Sequence, residues 1–341
     1  MIEIDGSYLE AGGQILRTSL GLSVLTNKPF HIINIRKGRK SNGLKEQHLQ
    51  AVKAMKRLCN ADIKGDELNS TELTFIPNEI KNKNLNIYIS TAGSVGLVLQ
   101  SLLIPSINMD IKFKIKGGAT YGKYALPIQH LDSVLLNILK KFGYTSKIKV
   151  IKEGFFPRGG SIVNVHSKIG KLKPIILEDI GKLKEIQIFS VASQELAIRD
   201  VVNRQAKAAK KILFKKFNLP TKEERYYDKT FSTGSGIQIN LITENSIIGS
   251  NSIGEKTASA EKVGEEAALN LIYEYENNAV VDRYTADQLL PYMAIAGYGK
   301  IKTSSITDHI RTNAWVIEKF LDVRFDIKDN IIECRKIAKV L

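Results

Sequence analysis

The chain has 341 residues, 43% hydrophobic and 25% charged, enough apolar content to bury a sizeable core and too much for a disordered chain. Fifty Lys and Arg against 35 Asp and Glu leave a net charge of +15, which favours an anionic partner and says nothing about fold. The two cysteines, Cys59 and Cys334, are too few for a disulfide framework and stand in no zinc-ligand spacing.

The chain opens on a strand-like alternation with no basic leader or apolar signal segment. Its longest apolar stretch, 95–104, is interrupted by Gln100 and is too short to cross a bilayer. A soluble cytoplasmic protein with no membrane partner is the expectation. In chain order, helical periodicity predicts helices at 14–25, 44–58, 95–104 and 126–142, and β-branched runs predict strands at 30–35, 73–76, 85–89, 111–115 and 148–151. The first 180 residues therefore read as two or more related modules, each with two helices against a small sheet. The pairs Gly12-Gly13, Gly117-Gly118 and Gly159-Gly160 mark tight turns between these units.

A different block starts near Ile186, with a strand at 186–190, a long helix at 195–217, paired strands at 236–242 and 246–250, and a helix at 258–275. The basic run Lys207, Lys210, Lys211, Lys215 and Lys216 reads as a solvated face of the long helix, with a nucleic-acid surface as the alternative. After Asn278 the earlier rhythm returns, with helices at 286–296 and 309–320 and strands at 299–304, 323–327 and 331–334. The expected organisation is one repeated domain, 1–185 and 278–341, interrupted by an inserted α/β domain, 186–277.

Candidate chemistry concentrates in three places. Between Lys28 and Lys64 there are ten Lys and Arg against two acids, and Arg36 and Arg39 lie at a strand end beside Gly38. Arginine forks bind phosphate oxygens in pairs, and Arg17 sits one turn into a helix whose start, at Gly12 and Gly13, offers free amides to an anion. Neither a P-loop nor a GxGxxG fingerprint is present. Gly93-Ser94-Val95-Gly96 opens an apolar helix carrying Gln100, an amide that must find backbone or a ligand when buried. The third place is Thr307-Asp308-His309-Ile310-Arg311-Thr312-Asn313, where Asp308 reads as an N-cap and His309 falls in the first helical turn. The helix dipole lowers the proton affinity of His309 and Asp308 raises it, so the residues alone leave both a catalytic and a capping role open. Tyr284, Asp287 and Gln288, on the preceding helix, are close enough in sequence to flank the same pocket.

Several segments line up in order: Ile4-Asp5-Gly6, Gly12-Gly13-Gln14-Ile15-Leu16-Arg17, Ile35-Arg36-Lys37-Gly38-Arg39, Gln47-His48-Leu49, Ser90-Thr91-Ala92-Gly93-Ser94, Gly154-Phe155-Phe156-Pro157-Arg158-Gly159-Gly160, Ala286-Asp287-Gln288-Leu289 and His309-Ile310-Arg311-Thr312-Asn313. Along essentially its whole length the chain resembles the RNA 3'-terminal phosphate cyclase family. The resemblance implies an α/β (α+β) fold of three repeated two-helix, four-stranded-sheet modules with a smaller inserted α/β domain. It implies an ATP-dependent ligase acting on RNA with a 3'-phosphate end, through a covalent histidine–AMP and an RNA(3')pp(5')A intermediate, with a divalent metal, Mg2+ or Mn2+. Carried over by position, His309 is the nucleophile and Glu10 helps hold the metal and nucleotide. Gln100, Pro127, Tyr284, Asp287 and Gln288 belong to the ATP pocket, with Pro127 against the adenine, while Arg17, Arg36 and Arg39 grip the RNA terminal phosphate. Oligomeric state is left open, a homodimer included. Two segments depart from the family pattern. Leu9 and Ala11 stand where glycines usually flank the glutamate, and Ala119-Thr120-Tyr121-Gly122-Lys123-Tyr124 replaces the usual Thr-Asp and proline run. A non-catalytic branch of the same fold, which serves ribosomal RNA maturation and lacks the histidine, is the alternative; the presence of His309 favours the enzyme.

Overall fold

The structure, a computed structural model, describes residues 1–337, so the last four residues of the expected repeated domain lie outside the described residues. The first unit comprises β1 (Ile2–Asp5), α1 (Gln14–Thr26), β2 (Phe30–Ile33), α2 (Glu46–Cys59), β3 (Asp62–Lys64) and β4 (Leu73–Ile76), with sheet order β1-β2-β4-β3. The second has β5 (Asn84–Ser94), α3 (Val95–Leu103), β6 (Ile111–Ala119), a helical stretch over 128–141, β7 (Thr145–Lys152) and β8 (Ile162–Lys168), in order β5-β6-β8-β7. Within that stretch α4 (Ile128–His130) and α5 (Asn137–Lys141) are joined by a π-helical segment, Leu131–Leu136. Next, β9 (Ile175–Leu177) leaves its neighbours in sequence to pair with strands near the chain's end.

Between these lie β10 (Leu183–Ser193), α6 (Val201–Phe217), β11 (Thr221–Asp228), β12 (Ser235–Thr243), β13 (Ile247–Ile253) and α7 (Ala260–Glu276), whose sheet runs β11-β10-β12-β13. The chain then adds α8 (Arg283–Ala296), β14 (Tyr298–Lys302), α9 (Asp308–Phe320), β15 (Val323–Lys328) and β16 (Ile331–Lys336), giving the sheet β15-β16-β14-β9. Repeated sheet-and-helix units thus build the molecule. Three sheets share one wiring: a parallel first pair, β1/β2, β5/β6 and β9/β14, and two further antiparallel pairings. A parallel pair needs a crossover, and α1, α3 and α8 lie on those three crossovers.

Strand alternation decides what each sheet covers. On β6, Ile111, Phe113 and Ile115 are buried while Lys112, Lys114 and Lys116 face out. Helices α1, α2, α3, α8 and α9 pack on one another over the inner faces, in one apolar core that runs from Ile4 to Cys334. A separate core, including Ile188, Leu213, Ile239 and Leu271, holds the sheet of β10–β13 against α6 and α7. Three expectations need correction. The helix expected at 195–217 is broken: a 3-10 turn, Gln194–Arg199, ends at Asp200, whose φ of 51° is left-handed, and α6 starts at Val201. Strand β11 has no counterpart among the expected strands, because Lys222, Glu223, Glu224 and Arg225 conceal its alternation. The cap of α9 is Thr307, whose hydroxyl accepts from Ile310 N–H, and not Asp308, which is the first helical residue. Among the described residues no helix is long and apolar enough to cross a membrane.

Candidate active site

His309 enters the site from the first turn of α9, beside the start of α1. Its Nδ1 lies 2.6 Å from Gln14 Oε1. The Gln14 amide nitrogen donates in turn to Asp287 Oδ1 on α8, which fixes the amide orientation and makes Oε1 the acceptor. Nδ1 therefore carries the proton, and in the neutral ring Nε2 holds the free lone pair. Asp287 is itself held by Asn313 Nδ2, at 3.1 Å from Oδ1 and 2.8 Å from the backbone oxygen, and by Gln288 Nε2 at 2.7 Å. Thr18 Oγ1 donates to Asn313 Oδ1 at 2.7 Å and closes the network back onto α1. Burial lowers the His309 pKa below its usual value, Asp287 opposes that, and Arg17 and Arg39 add to it. Burial conversely raises the Asp287 pKa, against His309, Gln14 and Arg17, which favour its ionised form. The net shift at His309 is downward, which favours the neutral imidazole.

Glu10 faces the other nitrogen, with Oε1 3.6 Å from His309 Nε2 and in an ion pair with Arg39. Its carboxylate lies above Gly12, where an added Cβ would come 2.2 Å from both oxygens. Leu9 and Ala11, the two residues flanking it, take left-handed φ of 42° and 48°. That explains why glycine suits both positions: a side chain there costs about 1 kcal/mol or more. The departure from the family pattern alters the side chains while the backbone keeps the turn that glycine favours.

Arg17 reaches from α1 to α3, where its Nε donates to Gln100 Oε1 at 3.0 Å. Gln100 thus answers to a charged side chain and not to backbone. Burial, reinforced by Arg36 and opposed by Asp287, lowers the Arg17 pKa to about 10, so it stays cationic at neutral pH. Arg36 has a left-handed φ of 59° and donates through Nη1 to the carbonyls of Ser41 and Gly43. His48, which shows no ligand spacing in the sequence, is buried in the first turn of α2. Lys45 N–H donates to its Nδ1 at 3.2 Å, and a Cβ on Gly13 would lie 2.2 Å from its Nε2 and 3.0 Å from Arg17 Nη1. Burial first, then Arg17, Arg36 and Lys45, hold His48 neutral. Its Nε2–H therefore joins the donors gathered around the start of α1.

Arg17, Gln100, Gln288, Tyr292 and Asn313 line one small cleft together with Gln14. Pro127 and Tyr284 stand apart from the hydrogen-bonded network among the described residues. Pro127 is buried just before α4, and Tyr284 is half exposed at the start of α8, with the Arg283 guanidinium 5.3 Å from its ring centre. Gln14, Thr18, His48 and Asn313 escaped the sequence-based choice of site residues. Gln14, His48 and Asn313 stand in segments that carry the family resemblance, but the partners of Gln14, Thr18 and Asn313 lie up to 295 residues away, so no local spacing marks those contacts.

The donor set suits a divalent ion only in part. Among the described residues no group of three or more His, Cys, Asp and Glu is gathered to hold a metal. Glu10, however, buries a carboxylate that makes no hydrogen bond beyond its ion pair with Arg39, and Mg2+ typically takes one or two carboxylates with substrate phosphates and water completing its shell. The residues fit an ion shared with a bound phosphate group and do not form a closed protein cage.

His309 thus faces the Glu10 carboxylate, with Arg17 and Arg39 and the open start of α1 beside it. Residues 8–327 match the family model described as RNA 3'-terminal phosphate cyclase. The RNA 3'-terminal phosphate cyclase of Saccharolobus solfataricus is 44% identical over 328 residues, covering 96% of both chains. That of Pyrococcus furiosus is 41% identical over 336 residues, 98% of this chain and 97% of its own. The Pyrococcus abyssi protein of the same description is 39% identical over 343 residues, spanning 100% of this chain and 99% of its own. The chain belongs to the RNA 3'-terminal phosphate cyclase family.

Proposed function

We propose that this protein is an ATP-dependent ligase that converts an RNA 3'-terminal phosphate into a 2',3'-cyclic phosphodiester, with His309 as its nucleophile. The observation that carries the assignment is the Asp287–Gln14–His309 chain of hydrogen bonds. It holds the proton on Nδ1 and leaves Nε2 free. Nε2 attacks the α-phosphorus of ATP, a P–N bond forms, and the P–O bond to pyrophosphate breaks. The ring gains positive charge, which Asp287 stabilises through the intervening amide. A terminal phosphate oxygen of the RNA then attacks the same phosphorus, releasing His309 and giving RNA(3')pp(5')A. The 2'-hydroxyl attacks the activated RNA phosphorus, loses its proton and expels AMP. That final step is favoured because the attacking oxygen is already held near phosphorus.

In this reading Arg17, Arg36 and Arg39 bind the RNA terminal phosphate, with the His48 N–H beside them. Gln100, Pro127, Tyr284, Asp287 and Gln288 contribute to the ATP pocket. Glu10 would hold Mg2+ or Mn2+ together with phosphate oxygens, and the ion when bound would supply charge neutralisation. The fold reading is three modules with one insertion, 1–185 and 278–341 around 186–277, supported by the shared wiring of three sheets and the separate core of the fourth. A cytoplasmic location accords with two free, buried cysteines.

The test is incubation of the protein with ATP, Mg2+ or Mn2+ and an RNA oligonucleotide bearing a 3'-phosphate. The end should become resistant to phosphatase, with loss of one water in the mass spectrum, and the conversion should vanish in His309→Ala. Tight RNA binding without conversion would transfer the protein to a non-catalytic RNA-binding role.

A further inference from the structure

The outer face of the β5-β6-β8-β7 sheet has a composition that folding does not require. Strand register sets its side chains in three rows. The first is Asn84, Lys112, His166 and Lys147, and the second is Asn86, Lys114, Asn164 and Lys149. The third, nearest the active site, contains Tyr88, Lys116, Ile162 and, past a register shift on β7, the half-buried Lys152 over the Phe231 ring. The opposite face of the same strands, with Leu85, Phe113 and Val165, is core. Lys112, Lys114, Lys116, Lys147 and Lys149 are all exposed, and none of them makes an ion pair among the described residues. No Asp or Glu occupies these rows. The carboxylate at their margin, Asp110, is bonded to His166 at 2.8 Å.

Two ordinary explanations for such lysines fail here. Lysines that guard against sheet-to-sheet aggregation sit on edge strands, whereas Lys112, Lys114 and Lys116 are on β6, an interior strand. Lysines that merely confer solubility are interspersed with acids, as on the equivalent faces of the other two sheets with this wiring. The first mixes Glu3, Asp5 and Asp62 with Lys64, and the last pairs Arg335 with Glu333. Like charges at neighbouring positions on one face repel, and a bound polyanion removes that cost. The rows border a groove lined by Asn84, Asn86, Lys114, Lys147, Lys149 and Asn164, and Tyr88, 65% exposed, offers a ring for base stacking.

We infer that this face binds the body of the RNA strand whose 3' end occupies the active site. The inference rests on the catalytic reading above for the identity of the strand. Strand β5 supplies the route. It runs from the basic rows towards the site, and beyond Tyr88 it meets the start of α2. There Glu46 Oε1 accepts from Ser90 Oγ at 2.8 Å, and Gln47 Oε1 accepts from Ser94 N–H at 3.3 Å. His48, the next residue, lies over Gly13 and beside Arg17. From Tyr88 to Gly93 is at most about 17 Å of strand, a length that a few nucleotides span. Lysine point charges and polar amides recognise phosphodiester and base edges without a fixed sequence, so binding here is sequence-tolerant and salt-dependent.

The test measures fluorescence anisotropy of the full chain with 3'-phosphorylated single-stranded RNAs of about four and about 20 nucleotides. Wild type should bind the longer RNA more tightly. The triple variant Lys112→Gln, Lys114→Gln, Lys149→Gln should lose tenfold or more in affinity for the longer RNA and bind it no better than the shorter. Its dependence of log K on log salt should flatten by about 2, since each lost phosphate contact removes ~0.7. Single Lys114→Gln should show the same trend at smaller size, with circular dichroism confirming the fold of both. An unchanged length advantage in the triple variant would overturn the inference, as would an equal loss in a comparison variant changed at Lys207, Lys211 and Lys215 on α6. Labelling of the wild-type protein by ATP labelled on its α-phosphate reports the catalytic reading separately. Its absence would refute that reading while leaving the measured contribution of this face intact.

Discussion

At the scale of single residues, the site works by dividing the two nitrogens of one imidazole. Nδ1–H donates to Gln14 Oε1, and Nε2 faces Glu10. Because burial lowers the His309 pKa below 6.5, the neutral nucleophile predominates above that pH, and the acid limb of self-adenylylation should lie beneath it. Asp287 pulls the same pKa upward, so Asp287→Asn should move the acid limb to still lower pH. It should also slow labelling on the order of tenfold, ~1.4 kcal/mol, because the adenylylated ring loses its counter-charge. A pH–rate profile checks both; an acid limb that moves upward, or not at all, contradicts the assignment. His309 stood out in the sequence as a candidate because a histidine just after Asp308 falls in the first turn of a helix, while its role as nucleophile came from the family resemblance. Gln14 did not, because an amide is informative only once its two partners, from the distant α8 and α9, are seen on either side.

At the scale of elements, three helix starts converge. The first turns of α1, α2 and α9 bring Gln14 and Arg17, His48, and His309 together, and α3 and α8 contribute Gln100 and Asp287 from the side. Aiming of His309 therefore depends on the end of α9, capped by the Thr307 hydroxyl. Thr307→Ala should cost about 1 kcal/mol of stability in urea unfolding and slow labelling, with Thr307→Ser restoring both. An alanine variant as stable and active as wild type would remove the cap from the account. Helices whose apolar faces and ends were marked, such as α1 and α9, stood out in the sequence to within a residue or two at each end. Strand β11 did not, since its Lys222–Arg225 stretch is a run of charges that shows no apolar alternation, although it pairs in parallel with β10 and Lys222 bridges to Glu185 there. The break at Asp200 was also hidden: a left-handed residue between two helical stretches leaves their hydrophobic periodicity almost unchanged.

At the scale of the whole molecule, the return of the earlier helix-and-strand rhythm after Asn278 was visible in sequence, but the pairing of β9 with β14 across the intervening block was not, because strand pairing leaves no mark at such separation. His130 lies where the units meet. Its Nε2 is 2.9 Å from Thr285 Oγ1 on α8, and its ring fills the space beside Gly249 on β13. Burial lowers its pKa, against Asp282, so the unfolded chain binds a proton there that the folded protein does not. The stability due to this neutral histidine is present above about pH 6.5 and falls as the pH drops below it. Between pH 7.5 and 5.5, wild type should therefore lose more stability than His130→Gln; equal losses in urea titrations would contradict the junction's assigned charge state. The central claim concerns a covalent bond at one atom, and the most direct measurement is protein labelling with ATP carrying a labelled α-phosphate, followed by denaturing electrophoresis and peptide mapping. The account predicts a metal-dependent label on the peptide containing His309, lost in His309→Ala. Persistence of the label in that variant, or none on wild type with either Mg2+ or Mn2+, would contradict it.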